Sequence, residues 1–426
     1  MQQLSPEDAQ AARDVFPRDD APTQMEDQVW RIPLPLPFAL RSVNVYLIGD
    51  GAGHWTLFDA GLGLARDEAA LRAGLERAGV PMEALSALVL THAHPDHIGL
   101  SGLLHATSGA PVYMLAREDE RMYRVWGELT GPALRAIVGF FAEHGLALDE
   151  SAADPRVTAV AGSDSRDGRE SREPRDGQER QERRRQDETA RAIARPKGFS
   201  LPPLDAIRTL EDGDTLTLGR WSYQVVWTPG HSDYHMCLLR SDGFFIAGDH
   251  ILPAITPNIG LFPDSRPDPL GDYFASLQRV RDLPARIVAP GHGLPFGAPG
   301  MTPGMTPGMT LAERADALRE HHIERSAAIR ALVEAAPAGQ TANEIASALF
   351  GERLRTVDDR RFALAETLAH LEHLRLRGGV RMERVGAFYR YLPAAPGRGP
   401  VPDPASDPAS DLSSTAIANK RERAEP

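Results

Sequence analysis

Short apolar runs alternate with amphipathic stretches along most of this chain, and that alternation predicts strands interleaved with helices. Residues 43–48 are apolar and β-branched and predict a strand. The turn Gly49-Asp50-Gly51-Ala52-Gly53 separates it from a second strand over 55–58, which ends at Asp59-Ala60-Gly61. Helical spacing follows over 66–78. A short strand over 87–90 then runs straight into Thr91-His92-Ala93-His94-Pro95-Asp96-His97, and a helix over 99–106 and a strand over 111–114 come after it. Three more strands end the same way, on a polar side chain. Residues 222–227 lead to Thr228-Pro229-Gly230-His231, 244–247 to Gly248-Asp249, and 286–289 to Pro290-Gly291-His292-Gly293.

Two stretches break the pattern. Residues 162–197 are dominated by mixed charge and nearly free of apolar side chains, so they cannot bury enough surface to offset the entropy of ordering. They read as a disordered insertion, with a regulatory or nucleic-acid-binding arm as the alternative. The repeat Gly300-Met301-Thr302-Pro303-Gly304-Met305-Thr306-Pro307 has neither period and reads as a linker. From Leu311 the chain turns helical: 311–335, then 341–350 behind the capping box Thr341-Ala342-Asn343-Glu344, then 358–377 stopped by Gly378-Gly379, then a hairpin over 380–392. The expected organisation is a flexible leader over 1–25, a main domain over 26–310, a small winged-helix-like domain over 311–393, and a disordered tail over 394–426.

Composition narrows the setting. A chain of 426 residues with 42% hydrophobic side chains is too long for one ordinary domain and rich enough for a real core. Its net charge of -12 disfavours non-specific binding to phosphate backbones. A lone cysteine, Cys237, forms no internal disulfide and fits a reducing compartment. The first residues show no signal peptide, and no apolar run nears the roughly 18–20 residues of a membrane helix. A cytoplasmic protein without a membrane partner is expected.

The strand ends carry the chemistry. Ligands at strand ends converge on one rim of a sheet, where α/β proteins place their sites. Imidazole and carboxylate suit a borderline divalent cation. His92, His94 and Asp96 alternate along an extended loop and His97 points elsewhere, so one loop could feed two metals about 3.5–4 Å apart. His231 and His292 would complete the separate sets, and Asp249 would bridge them. Two such cations bring a shared water toward hydroxide at neutral pH, with Asp96 as the candidate catalytic carboxylate that orients it and relays its proton. There is no Gly-x-Ser-x-Gly elbow of the serine hydrolases.

The run Thr91-His92-Ala93-His94-Pro95-Asp96-His97-Ile98-Gly99 resembles the His-x-His-x-Asp-His signature of the metallo-β-lactamase superfamily. Phe58-Asp59-Ala60-Gly61, Pro229-Gly230-His231-Ser232, Gly248-Asp249 and Gly291-His292-Gly293 follow its other motifs in order. The resemblance covers roughly 28–300, minus the charged insertion. It implies a four-layer αββα sandwich. It implies a first metal on His92, His94 and His231, a second on Asp96, His97 and His292, a bridging Asp249, and a buried Asp59 bracing the ligand loop. Zinc is the expected ion, and manganese or iron also suits the donors. The C-terminal pattern, with Asp268-Pro269-Leu270-Gly271-Asp272-Tyr273 and Glu320-His321-His322 ahead of it, is similar to the β-lactamase-like protein 2 branch. That branch holds endoribonucleases and hydrolases resembling glyoxalase II.

The remaining histidines read as ordinary. His235 has a supporting role in the site as its alternative, and His321 and His322 have the lining of a substrate entrance. His250 reads as packing, and Cys237 as a buried structural thiol. Residues 311–392 carry 13 arginines, no lysine and 12 acidic residues, a balance that does not make a nucleic-acid reader. A lid, substrate-shaping or dimerisation role is expected for that domain. The function expected is hydrolysis of an ester-like bond, an acyl thioester or lactone, in a small molecule. A metal-dependent single-stranded endoribonuclease is the alternative, and a non-catalytic binding module is set aside because the donor set is complete.

Overall fold

A computed structural model describes residues 21–37, 40–127, 131–148, 198–297, 306–354 and 356–394. The charged insertion, most of the Met-Thr-Pro-Gly repeat and the tail from 395 lie outside the described residues. Two seven-stranded sheets form the body. The first runs in chain order through β1 (Thr23–Glu26), β2 (Val29–Pro35), β3 (Ser42–Gly49), β4 (Trp55–Phe58), β5 (Leu85–Val89), β6 (Val112–Leu115) and β7 (Ile207–Leu210). The second is built from β8 (Thr215–Leu218), β9 (Trp221–Trp227), β10 (Met236–Arg240), β11 (Phe244–Gly248), β12 (Ile287–Pro290), β13 (Phe296–Gly297) and β14 (Thr306–Pro307). Pairing is parallel from β4 to β7 and between β11 and β12.

Period-two alternation explains why the sheets stack. Tyr46 and Ile48 of β3, Tyr223 and Val225 of β9, Met236 and Leu238 of β10, and Phe244 and Ile246 of β11 point inward and form one buried cluster between the sheets. Their neighbours Val45 and Leu47 point outward, against Leu71 and Leu75 of α1 (Ala65–Arg77). After the single turn α2 (Pro95–Ile98), helix α3 (Ser101–Ser108) adds Leu104 to the same outer layer. Over the second sheet, Cys237, Phe245 and Val288 meet Leu270, Tyr273 and Leu277 of a long helix. Helix, sheet, sheet and helix give the four layers, the mixed α/β architecture expected from the sequence.

The leader expected over 1–25 gives way to structure by Thr23. Met25 is only 4% exposed and packs between the sheets, so a polar-looking segment with one well-placed apolar side chain becomes an edge strand. Further helices follow in chain order: α4 (Glu118–Met122), α5 (Gly131–Glu143), α6 (Pro269–Arg281), α7 (Leu311–Glu334), α8 (Ala342–Phe350) and α9 (Val357–Leu376). Helix α6 is the helix that carries Leu270, Tyr273 and Leu277 over the second sheet. The hairpin β15 (Val380–Val385) and β16 (Phe388–Pro393) closes the C-terminal region. The three helices and hairpin expected after Leu311 are present, each of the three opened by a threonine capping box, at Thr310, Thr341 and Thr356. Helix α7 belongs to both bodies. Leu311, Ala315 and Leu318 pack with the second sheet, whereas Ile329 and Val333 join Ile345, Leu364 and Leu368. That second cluster also takes in Phe141 of α5 and Leu146. Among the described residues no helix is long and apolar enough to cross a membrane.

Candidate metal centre

Each candidate donor leaves the carboxyl end of a strand, and the two stacked sheets bring those ends to one place. Strand β4 delivers Asp59, β5 delivers residues 91–97, β9 delivers His231, β11 delivers Asp249 and β12 delivers His292. The ring nitrogens His92 Nε2 and His94 Nδ1 approach to 2.9 Å. Asp249 stands in the middle. One of its oxygens lies 3.5 Å from His97 Nε2, and the other lies 3.5 Å from His231 Nε2 and 3.3 Å from His292 Nε2. Asp96 Oδ2 lies 3.3 Å from His292 Nε2. Three overlapping sets of converging donors result: His92, His94 and His231; His92, His97 and Asp249; and Asp96, His97 and His292.

The donors fit divalent cations on an observation of their own. The Nε2 atoms of His97, His231 and His292 and Oδ1 of Asp249 are buried without a hydrogen-bond partner among the described residues, although buried polar atoms are normally satisfied. In each of these rings the opposite nitrogen is already committed. His97 Nδ1 donates to Asp59 Oδ2 at 2.7 Å, His231 Nδ1 to the Asn258 carbonyl at 3.0 Å, and His292 Nδ1 to the Ser42 carbonyl at 2.7 Å. That commits each Nδ1 as a donor and leaves each Nε2 atom turned toward the centre, the usual arrangement behind a metal-binding histidine.

Asp59 does more than brace one ring. Its carboxylate also accepts from the Thr91 amide at 2.8 Å and the Thr91 hydroxyl, whose oxygen lies 3.0 Å from His92 Nδ1. One carboxylate therefore reaches a ligand in each set. It sits in the left-handed region, at φ 62°, strained backbone that the amide-to-carbonyl bonds on either side hold in place. Close approach also dictates Gly291: a Cβ there would lie 2.3 Å from Asp249 Oδ1 and 2.8 Å from His97.

Electrostatics divides the rings. Burial and the neighbouring imidazoles hold His92 well below its usual range, and burial lowers His94 and His231, so these three are neutral donors at neutral pH. Burial opposes charge on His97 and His292 too, but Asp249 with Asp59 and Asp96 outweighs it at His97, and Asp249 with Asp96 raises His292 to about 10. Burial works against ionising Asp96. His97 and His292 prevail and hold it at about 2.

Several supporting residues carried no signal in the sequence. Glu118, 1% exposed, accepts the Ala93 amide at 2.7 Å and the Ser232 hydroxyl at 2.6 Å, linking the His92–His94 loop to the His231 loop. Trp126 Nε1 donates to the Ala93 carbonyl at 2.6 Å, so both sides of that residue are gripped. Asn44 donates to the carbonyls of Pro290 and Gly293 and fastens the His292 loop to the first sheet. None belongs to a motif, and each acts on backbone far away in sequence. His235 takes its alternative, supporting role: Nε2 accepts the Asp249 amide at 3.2 Å and Nδ1 faces Thr228 Oγ1 at 2.8 Å. His250 and Cys237 are buried packing, as expected. His322 is buried against His370 and Tyr273 rather than at an entrance. A cavity of about 520 Å³ lies between α5, residues 261–267 and Glu372, and none of the seven donors lines it.

A stacked-sheet α/β sandwich with this donor set at its strand ends defines a class, and the chain belongs to it: residues 39–292 match the metallo-beta-lactamase superfamily model, and 327–394 match the metallo-beta-lactamase-like C-terminal domain. It is therefore an enzyme of a hydrolase superfamily. It is 32% identical to a metallo-beta-lactamase family protein from Thermus thermophilus, with a TM-score of 0.63 over 86% of this chain and 99% of that one. It is 28% identical to a probable metallo-hydrolase, YqjP, of Bacillus subtilis over 63% of this chain and 73% of that protein. A shorter match, 34% identical over 24% of this chain and 38% of the relative, is to the acyl-coenzyme A thioesterase MBLAC2 of Gallus gallus.

Proposed function

We propose that this protein is a dinuclear metal hydrolase that cleaves an acyl thioester of a small molecule, a chemistry shared with hydroxyacylglutathione hydrolases. The observation that carries the reading is the set of buried, unpartnered Nε2 atoms aimed at one centre around Asp249. His92, His94 and His231 would hold one cation, Asp96, His97 and His292 the other, and Asp249 would span both. Zinc suits these donors best. When bound, two such cations supply Lewis acidity and bring water toward hydroxide at neutral pH. Asp96, ionised at neutral pH, orients the attacking water and accepts its proton as the new C–O bond forms. The C–S bond then breaks and the thiolate leaves with that proton. The likeness to MBLAC2, an acyl-coenzyme A thioesterase, supports this substrate class, and the chain's net charge of -12 weighs against the phosphate backbone of an RNA. We assign the main domain to 26–310 and a winged-helix-like domain, which shapes access to the site, to 311–393.

The test is hydrolysis by the zinc-loaded protein of an acyl-coenzyme A or acyl-glutathione thioester, run beside a labelled single-stranded RNA. Thioester turnover that drops about 10²- to 10⁴-fold in Asp96→Asn is the expected result. RNA cleavage lost in the same variant, without thioester turnover, would overturn the substrate class and leave the nuclease.

A further inference from the structure

Residues 258–262 form a strap between the metal centre and the C-terminal body. At one end the Asn258 carbonyl accepts the Nδ1 proton of His231 at 3.0 Å. At the other, the Leu261 amide donates to the Ala365 carbonyl of α9 at 3.0 Å, and Asn258 Nδ2 reaches the Phe362 carbonyl at 3.5 Å. Side chains follow the same division. Ile259 is fully buried in the cluster of the second sheet and α6, whereas Leu261 and Phe262 pack on the C-terminal core, with the Phe262 ring 6.1 Å from that of Phe141. Gly260 lies so close to the helix that a Cβ on it would sit 3.2 Å from that of Ala365 and 2.8 Å from the Phe262 ring. Arg314 of α7 holds the approach to the strap, donating to the carbonyls of Leu252 and Ile255 at 2.6 and 2.7 Å.

Among the described residues the other two committed rings have no such connection. His97 and His292 are oriented by Asp59 and Ser42, both in the first sheet's own segments. We infer that the docking of α9 on residues 258–262 sets the orientation of His231, so that the C-terminal body controls the affinity of the three-histidine site and leaves the Asp96–His97–His292 site untouched. Asn258 is a positioning residue, acting through His231. The inference rests on the dinuclear reading. It makes the C-terminal body part of what holds the first metal, in addition to any part in shaping access.

The experiment uses the full chain, loaded with cobalt or zinc and titrated against a chelator, with metal content and the cobalt absorption spectrum as readouts. Wild type is expected to hold two ions. Gly260→Val, which pushes the strap off α9, is expected to weaken one of them by about 10- to 100-fold, a typical effect of disturbing a ligand's supporting bond. Its spectrum is expected to match that of His231→Ala and not that of His292→Ala. Asn258→Ala, which removes only the side-chain tie, moves in the same direction by less. Thr341→Ala loosens the C-terminal body at the start of α8 without touching the strap and should retain both ions. If Gly260→Val keeps both ions at wild-type affinity, or loses both equally, the inference is overturned while the dinuclear reading stands. If wild type never holds two ions, that reading is the one that fails.

Discussion

At the residue scale the candidate centre is braced by groups outside the seven candidate donors. Glu118 joins two loops that each carry histidines of the three-histidine set, through the Ala93 amide and the Ser232 hydroxyl. Removing it frees both loops at once, so Glu118→Ala is expected to lower zinc affinity of that set by about 10- to 100-fold, read by chelator competition. Glu118→Gln retains a carbonyl acceptor and should recover part of the loss. Burial raises the Glu118 pKa. Asp59→Ala should be the more damaging change, since it strips support from His97 and from the Thr91–His92 pair together. Both sets of donors are then expected to lose metal.

Elements differ in how visibly the sequence marks them. The strands that end on Asp59, His231, Asp249 and His292 fall within one or two residues of their expected positions, because β-branched apolar runs bounded by glycine or proline are strong signals. Helices α7 to α9 were equally legible from period and caps. Thr356 caps α9, accepting the Asp359 amide at 3.0 Å while Asp359 caps back. Thr356→Ala is expected to cost about 1 kcal/mol, measured by denaturant unfolding. The sequence pattern does not mark strands β1, β2, β7, β8 and β10 or helices α4 to α6. The edge strand is short and polar, and α6 reads as helix only once its buried face, Leu270, Tyr273 and Leu277, has the second sheet to cover.

At the scale of the whole molecule, the C-terminal body is built around neutral, buried histidines. His144 sits between Phe140, Tyr389 and Tyr391, and burial brings it down to about 4. His322 and His370, also buried, are held well below the ordinary value. A histidine whose folded value is depressed stabilises the fold above the unfolded value of 6.5, and that contribution is lost as pH falls, because the unfolded chain takes up the proton first. Stability of this body should therefore decline from about pH 6.5 toward pH 4. His144→Phe should flatten the decline, followed by thermal unfolding across that range. Phe141, fully buried where α5 meets this body, is the matching packing test. Phe141→Ala should cost about 3–5 kcal/mol.

The α/β class of the fold and the seven candidate donors were both legible in the amino-acid sequence. Apolar period marks the strands over 43–48, 55–58, 87–90, 222–227, 244–247 and 286–289, and candidate donors lie just beyond four of their ends, whereas the four-layer stacking and the division into two ligand sets came from the resemblance to the superfamily. The bracing role of Asp59 was implied by that resemblance alone, since an aspartate at a strand end beside a glycine also reads as an ordinary turn residue. The contacts outside such local patterns come from long-range packing. Ser42, Asn44, Glu118 and Asn258 act on the centre through bonds to histidine rings or to the backbone of distant loops, and which backbone they meet depends on how two sheets stack and where α9 docks. Backbone amides and carbonyls are common to every residue, so no side-chain pattern marks which of them a distant group will reach.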